Sequence, residues 1–311
     1  MKAIEFREFG DFSQLHLVER PDPRATPSTA VVRIEAASVN PSDTKNIAGR
    51  MKQTKLPRIP GRDYAGVVVE GPSEWVGVPV WGTGGDVGFT RDGTHASLIE
   101  VPVESLVRKP SSISFDAAAS LGVTFLTAWC GVVQYAKLAA GETLAVIGAG
   151  GGVGGAAVQI GKFRGARVIA ISRGPLPADS PAARLADVSV TGADLPWGSA
   201  DVVLDAVGGP MIQNALKLLA HRGRLIELTG GKDPASFQMV DFYRNESQLM
   251  GVDSLKRDLT ASSEILRELA PGFESGAFMA PLIAHVLPLE RAREAYELVA
   301  AGQPGRVVLR P

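Results

Sequence analysis

The sequence predicts an α/β chain in which a doubly wound parallel sheet is set into a barrel-like β domain. Three observations carry this. Residues 142–173, ETLAVIGAGGGVGGAAVQIGKFRGARVIAISR, read as strand, glycine turn, helix and strand. After them, strand-like and helical runs alternate. Before them, short apolar runs are separated by proline and glycine clusters.

Within the first unit, Thr143–Ile147 is a short apolar run suited to a strand buried on both faces. Ala156–Phe163 has the content of a helix packed on a sheet, with Gly165 as its stop. Arg167–Ile171 is a second β-branched run. The turn between strand and helix is almost all glycine. A helix N-terminus favours an anion, and a backbone without side chains lets a diphosphate approach closely. Two registers fit: Gly150, Gly152 and Gly155 match GxGxxG, and Gly148, Gly151 and Gly154 keep a three-residue spacing. Either way Gly148 to Gly154, with Val153, is the candidate dinucleotide cradle. The competing reading is a glycine-rich loop without a ligand.

NAD sites usually place an acid roughly 20 residues after the glycines. Here the chain reads Ile171-Ser172-Arg173, with no acid until Asp179. Ser172 can donate to a 2′-phosphate and Arg173 can pair with it, so NADPH (and NADP+) is expected over NADH. The alternative is Arg173 as a solvated surface charge.

The alternation continues with Asp187–Val190, Ala200–Asp205, Gly223–Leu228 and Gln248–Val252 as strands and Ile212–Leu219 as a helix. Six strands give the expected order 3-2-1-4-5-6, with the cofactor across the switch point between strands 1 and 4. Asp205 and Val207, and then Thr229 and Gly230, sit in the turns at these strand ends. They are candidate cofactor contacts, although Asp205 could equally fix its own turn.

Residues 1–115 read as mostly β, with Lys2–Phe6, Leu15–Glu19, Ala30–Ala37, Tyr64–Glu70, Val78–Trp81, Ala96–Val101 and Ser105–Lys109 as strands. A helical stretch starts at Asp116. Near the end come a helix from Ser262 to about Leu269, a strand Leu282–Leu287, an amphipathic helix Leu289–Ala300 and a last strand Arg306–Arg310. These do not extend the parallel sheet. The expected division is 1–115, 116–261 and 262–311, the last returning to the first.

The chain has 311 residues and a net charge of −1, which gives no nucleic-acid footprint. Cys130 is the single cysteine, so an internal disulfide and a multi-cysteine zinc site are both excluded. It lies in an apolar run and reads as a buried, inert thiol. The start, MKAIEFREFG, lacks the apolar core of a signal peptide, and the glycine-rich apolar window 143–161 makes a poor membrane helix. A cytoplasmic location without membrane association is expected.

With these segments placed, the chain resembles the zinc-independent quinone oxidoreductase branch of the medium-chain dehydrogenase/reductases. The matching stretches are MKAIEFREFG at 1–10, SVNPSDTK at 38–45, PGRDYAGVVVEG at 60–71, DGTHASLIEVP at 92–102, GVTFLTAW at 122–129, GAGGGVGGAAVQIGK at 148–162, DVVLDAVGG at 201–209 and GRVVLRP at 305–311. The resemblance implies a Rossmann domain inserted in a GroES-like β-barrel catalytic domain. It also implies a homodimer pairing sheet edges at the sixth strand, near Met250.

The resemblance further implies where chemistry sits. Zinc alcohol dehydrogenases hold a Cys ligand at the place of Asn40 and a His ligand at that of Arg62. Neither ligand remains, and His16, His221 and His285 lie outside these motifs. Without a Lewis acid the expected acceptor is already electrophilic, a quinone or an α,β-unsaturated carbonyl. Asn40 is a candidate for the nicotinamide ribose or the substrate oxygen, Ser42 takes the place of a proton-relaying hydroxyl, and Lys45 is a candidate cofactor donor. Asn40 as a turn residue before Pro41, and Lys45 as a surface charge, are the rival readings. Asp43 is expected to orient the loop. Thr124 is favoured over Thr127 as the nicotinamide-side ligand, and Arg306 in the last motif is a further cofactor candidate.

Thioester-reducing relatives carry a tyrosine proton donor where this chain reads Ala48-Gly49-Arg50-Met51. Tyr64 stands nearby, as a catalytic hydroxyl or as packing at the pocket wall. His95 is a core or lid histidine, or a tuned proton donor. Trp81, Phe237, Met239, Phe242 and Tyr243 are candidate apolar walls. The alternatives to a quinone or enone reductase are an enoyl-thioester reductase and a low-turnover NADPH-binding sensor.

Overall fold

A computed structural model describes residues 1–191, 195, 197–230 and 234–311. The chain forms two units. One comprises 1–123, 254–276 and 280–311; the other comprises 124–253 with 277–279.

The first unit begins with β1 (Lys2–Glu5) paired antiparallel to β2 (His16–Glu19). Then follow β3 (Thr29–Ser38), α1 (Pro41–Ile47), β4 (Asp63–Glu70), β5 (Pro79–Gly82), β6 (Leu98–Pro102) and α2 (Phe115–Ala119), after which α3 (Gly122–Trp129) belongs to the second unit from Thr124 on. β3 is the organising strand: it pairs antiparallel with both β4 and β6. Its Val32, Ile34 and Ala37 join Tyr64, Val68, Val80, Ile99 and Val101 in one buried cluster. Pro41 presets the first turn of α1, and Asp43 three positions after Asn40 accepts the Asn40 backbone N–H at 2.7 Å.

The expected strand Ser105–Lys109 does not form. A 3-10 turn occupies Val103–Ser105, and the following chain touches the sheet as a single bridge, Val80 to Arg108. The physical reason is local. Lys109 Nζ turns back onto the carbonyls of Pro110 and Ile113, and Pro110 has no N–H with which to continue a ladder.

In the second unit a π-helix over Cys130–Tyr135 precedes β7 (Thr143–Ile147), α4 (Gly152–Phe163), β8 (Arg167–Ser172), α5 (Pro181–Leu185) and β9 (Val188–Thr191). β10 (Ala200–Asp205), α6 (Ile212–Leu218), β11 (Leu219–Glu227), α7 (Met239–Tyr243) and β12 (Gln248–Gly251) complete it. All pairs are parallel, in the order β12-β11-β10-β7-β8-β9. This is the expected doubly wound order, with its switch point between β7 and β10. Helix α4 starts four residues before the expected Ala156, because its first turn is built from the glycines themselves. It lies close on the sheet at Gly161, where a Cβ would come within 2.7 Å of Leu144 and 2.9 Å of Val168.

The last segment returns to the first unit with α8 (Leu259–Glu274), β13 (Ile283–Pro288), α9 (Ala292–Ala300) and β14 (Arg306–Arg310). α8 is capped by Asp258 and runs past the expected end near Leu269. Pro271 falls in its last turn, where its missing N–H costs one backbone hydrogen bond. β14 lies between β13, parallel, and β3, antiparallel.

Candidate active site

In the second unit, the glycine turn takes the three-residue register. Gly148 has φ +80°, a left-handed conformation that suits glycine. Gly151 is the N-cap of α4. A Cβ on Gly154 would lie 2.2 Å from the Gly148 carbonyl oxygen, so the first turn of the helix closes directly onto the loop. At Gly155 the nearest atom would be 3.7 Å away, an ordinary contact. Gly150 would meet only Leu176, at 3.1 Å. The N–H groups of Gly152, Val153 and Gly154 open the helix and have no intrahelical acceptor. A bare turn, three such donors and the positive end of a 12-residue helix fit a diphosphate.

At the end of β8, Ser172 Oγ donates to the Gly174 carbonyl at 2.7 Å, while Arg173 is exposed. Beyond the switch point, Asp205 ends β10. It is fully buried, and its Oδ1 accepts the N–H groups of Val207 (2.8 Å) and Gly208 (3.0 Å). Its neighbour in register on β11 is Glu227. Asp205 Oδ2 and Glu227 Oε1 are both buried without a hydrogen-bond partner. Burial first, and then the charge of Asp205, push the Glu227 carboxyl up to about 8. Glu227 faces a cavity of about 420 Å³ lined also by Gly209, Thr229, Gly230, Gly251 and Asp253. Val207 is half exposed.

In the first unit a buried polar cluster gathers around Asn40, itself 1% exposed. Its Nδ2 donates to Asp63 Oδ2 at 3.0 Å and, more weakly, to Ser38 Oγ at 3.5 Å. Its Oδ1 accepts from Arg306 at 2.7 Å. Arg306 also donates to Ser38 Oγ (3.1 Å) and lies 3.9 Å from Asp63 Oδ2. Asp63 Oδ1 accepts the Val123 N–H at 3.0 Å. The amide is therefore clamped at both ends. Burial raises the Asp43 carboxyl to about 7, against the pull of the Asn40 N–H, Arg62 and Arg306.

Other expected residues are placed as follows. Ser42 Oγ is buried without a partner, and Lys45 is exposed. Thr124 and Thr127 are nearly buried on α3. Tyr64 lies in the core with its hydroxyl unpartnered; a Cβ on Gly82 would strike its ring at 2.4 Å. His95 is a core residue: Nδ1 meets the Tyr296 hydroxyl at 2.9 Å and Nε2 the Ser38 carbonyl at 3.2 Å. Burial lowers its pKa to about 4, so it is neutral at neutral pH. Trp81 is fully buried, edge-on to Phe273 at 5.8 Å. Phe237 packs on Phe242, whereas Met239 and Tyr243 are exposed. Ser38, Asp63, Tyr296 and Glu227 were not singled out in the sequence. For Glu227 a signal was there, a carboxylate inside the apolar run GRLIEL.

The chain matches two family models: the alcohol dehydrogenase GroES-like domain over residues 26–111 and the zinc-binding dehydrogenase domain over 178–309. It is 38% identical over 268 residues to a zinc-type alcohol dehydrogenase-like protein of Schizosaccharomyces pombe, covering 83% of this chain and 80% of that one. It is 29% identical to the quinone oxidoreductase of Lama guanicoe, covering 99% and 97%. It is 28% identical to the chloroplastic NADPH-dependent alkenal/one oxidoreductase of Arabidopsis thaliana, covering 100% and 80%.

The donor set here does not fit zinc. Arg62 has no lone pair to give; its guanidinium donates to the Gly84 carbonyl at 2.9 Å and to Ser254. Among the described residues, no group of three or more His, Cys, Asp or Glu side chains could hold a metal ion.

Proposed function

The chain belongs to the medium-chain dehydrogenase/reductase superfamily, in its quinone oxidoreductase branch, and on that premise we propose that it is a metal-independent, NADPH-dependent reductase of quinones and α,β-unsaturated carbonyls. The observation that carries this reading is the pair of side chains at Asn40 and Arg62, an amide and a guanidinium where zinc-dependent relatives have ligands. An alcohol needs a Lewis acid to be activated, whereas a quinone or enone is electrophilic as it stands.

The bound coenzyme supplies the hydride. The Gly152–Gly154 N–H groups hold its diphosphate, Ser172 and Arg173 its 2′-phosphate, and the turns at Val207, Thr229 and Gly230 its other half. Thr124 is assigned to the nicotinamide side. Arg306 and Asp63 act by fixing the Asn40 amide, which presents a pre-oriented polar group. Ser42, with an unpartnered buried hydroxyl, is the assigned donor to the acceptor oxygen. Tyr64 is assigned to packing, and Lys45 to the solvent-facing rim. No side chain at Met51 can donate a proton, so water completes the reduction, which a quinone tolerates better than an enoyl thioester.

We place the protein in the cytoplasm; no described helix is long and apolar enough to cross a membrane. A homodimer through the free edge of β12, where Leu249 is exposed, completes the proposal.

The test follows NADPH absorbance with phenanthrenequinone, an alkyl vinyl ketone and crotonyl-CoA. Consumption with the first two supports this reading. Preference for crotonyl-CoA would mark a thioester reductase, and tight NADPH binding without turnover a sensor.

A further inference from the structure

We propose that Glu227 keeps a proton opposite the reduced coenzyme and releases it when the oxidised coenzyme binds, so that affinity for the oxidised form is tied to proton release. This rests on the coenzyme reading above and concerns a residue to which that reading gives no role.

The geometry begins with register. Asp205 and Glu227 are paired residues on adjacent parallel strands, at the carboxyl ends where β10 and β11 leave the sheet. Strands so paired lie about 4.8 Å apart, so the two side chains stand beside each other. Two ionised carboxylates at that spacing, Asp205 fully buried and Glu227 partly, repel, and one proton is retained between them. The hydrogen bonds decide which group keeps it. Asp205 Oδ1 accepts two backbone N–H groups, which favour its charged form. Glu227 Oε1 is buried and accepts none. The proton therefore stays on Glu227, in line with a carboxyl raised to about 8.

The cavity gives that proton a use. Ser172 and Arg173 lie at the β8 side of the switch point, so a dinucleotide whose diphosphate sits at Gly152–Gly154 has its nicotinamide half on the β10–β12 side. There the cavity of about 420 Å³ is lined by Glu227 from β11, Asp253 after β12, and Gly209 and Ile212 before and within α6. Titratable groups facing Glu227 among the described residues are thus Asp205 and Asp253. Among the described residues, no basic side chain lines the cavity. The oxidised nicotinamide ring is cationic and the reduced ring is neutral. A cation entering a wall of carboxyls lowers their pKa; a neutral ring burying the same wall does not. Glu227 passes from neutral acid to carboxylate as the positive ring arrives, and the proton goes to solvent. Linkage makes the effect reciprocal: low pH weakens binding of oxidised coenzyme and leaves the reduced form almost untouched.

The experiment counts protons. NADP+ and NADPH are titrated calorimetrically into the full chain at pH 7, in two buffers of different ionisation heat. The 2′-phosphate and diphosphate are common to both coenzymes, so the difference between the two counts isolates the ring. The expected difference is close to one proton per chain, with NADP+ affinity rising about tenfold per pH unit below the Glu227 pKa. In Glu227→Gln, which preserves shape, both coenzymes bind and the difference disappears. In Asp205→Asn, which removes the neighbouring charge and so lowers the Glu227 pKa, the difference at pH 7 shrinks. Binding of both coenzymes with equal proton counts in the unmodified chain would overturn this inference alone. Binding of neither would overturn the coenzyme reading and this inference with it.

Discussion

Arg306 and Asn40, 266 positions apart in the chain, meet through a 2.7 Å hydrogen bond from guanidinium to amide oxygen. The same guanidinium lies 3.9 Å from the fully buried Asp63. Removing it leaves a buried acid with only the hydrogen bonds of Asn40, Ser38 and Val123. Arg306→Met should destabilise the protein by about 3 kcal/mol and lower turnover, because the Asn40 amide is then held by Asp63 and Ser38 alone. Urea denaturation and steady-state kinetics read the two effects separately.

The glycine turn offers a paired test at adjacent positions. Gly154→Ala forces a methyl to 2.2 Å from the Gly148 carbonyl, and NADPH affinity should fall at least about tenfold as the turn opens. Gly155→Ala meets nothing closer than 3.7 Å in a helical position, so it should gain roughly 0.5–1 kcal/mol of stability with unchanged affinity. Calorimetric titration and thermal melts of the two variants distinguish the registers.

Arg173→Ala should raise KM for NADPH by about tenfold or more, the worth of a charge-assisted hydrogen bond, with KM for NADH unchanged. An unaltered ratio of the two would return Arg173 to the role of a surface charge.

Asp43 gives stability a pH dependence of defined sign. Its carboxyl sits at about 7 in the folded state, above the ordinary value of 3.8, so the fold keeps a proton that the unfolded chain has lost. The stability this contributes is complete below the unfolded pKa and is lost as pH rises through the folded one. Asp43→Asn can still accept the Asn40 N–H and should not show that loss. The variant should gain on the parent between about pH 4 and pH 7, by at least about 1 kcal/mol, in denaturant midpoints taken across that range.

Tyr64→Phe removes a buried hydroxyl that has no partner. Stability should hold or rise by about 1 kcal/mol, and turnover should stay within about twofold. A large loss of turnover would make the hydroxyl catalytic.

The second unit was legible in the sequence because its signals are local. An apolar run, a glycine turn and a β-branched run follow one another within Thr143–Ser172, and the strand order comes from their repetition. The start of α4 is hidden in the sequence because glycine has low helix propensity, while here close packing against Gly148 demands it. Ser105–Lys109 has strand composition, but Lys109 and Pro110 fold it onto its own loop. The polar cluster was half visible. Asn40, Ser38 and Asp63 all stand in motifs, but they become partners only through the β3–β4 register. The His95–Tyr296 contact joins residues 201 positions apart with nothing local to announce it.

β14 is an inner strand, flanked by β13 and β3, yet it is drawn from residues 306–310. The stretch 124–253 is contiguous and closes its own sheet. On the ribosome, therefore, the parallel sheet of the second unit can close while the opening 123 residues still wait for a missing neighbour. The clamp on Asn40 is assembled last, which makes nascent chains that stop short of Arg306 incapable of presenting that amide.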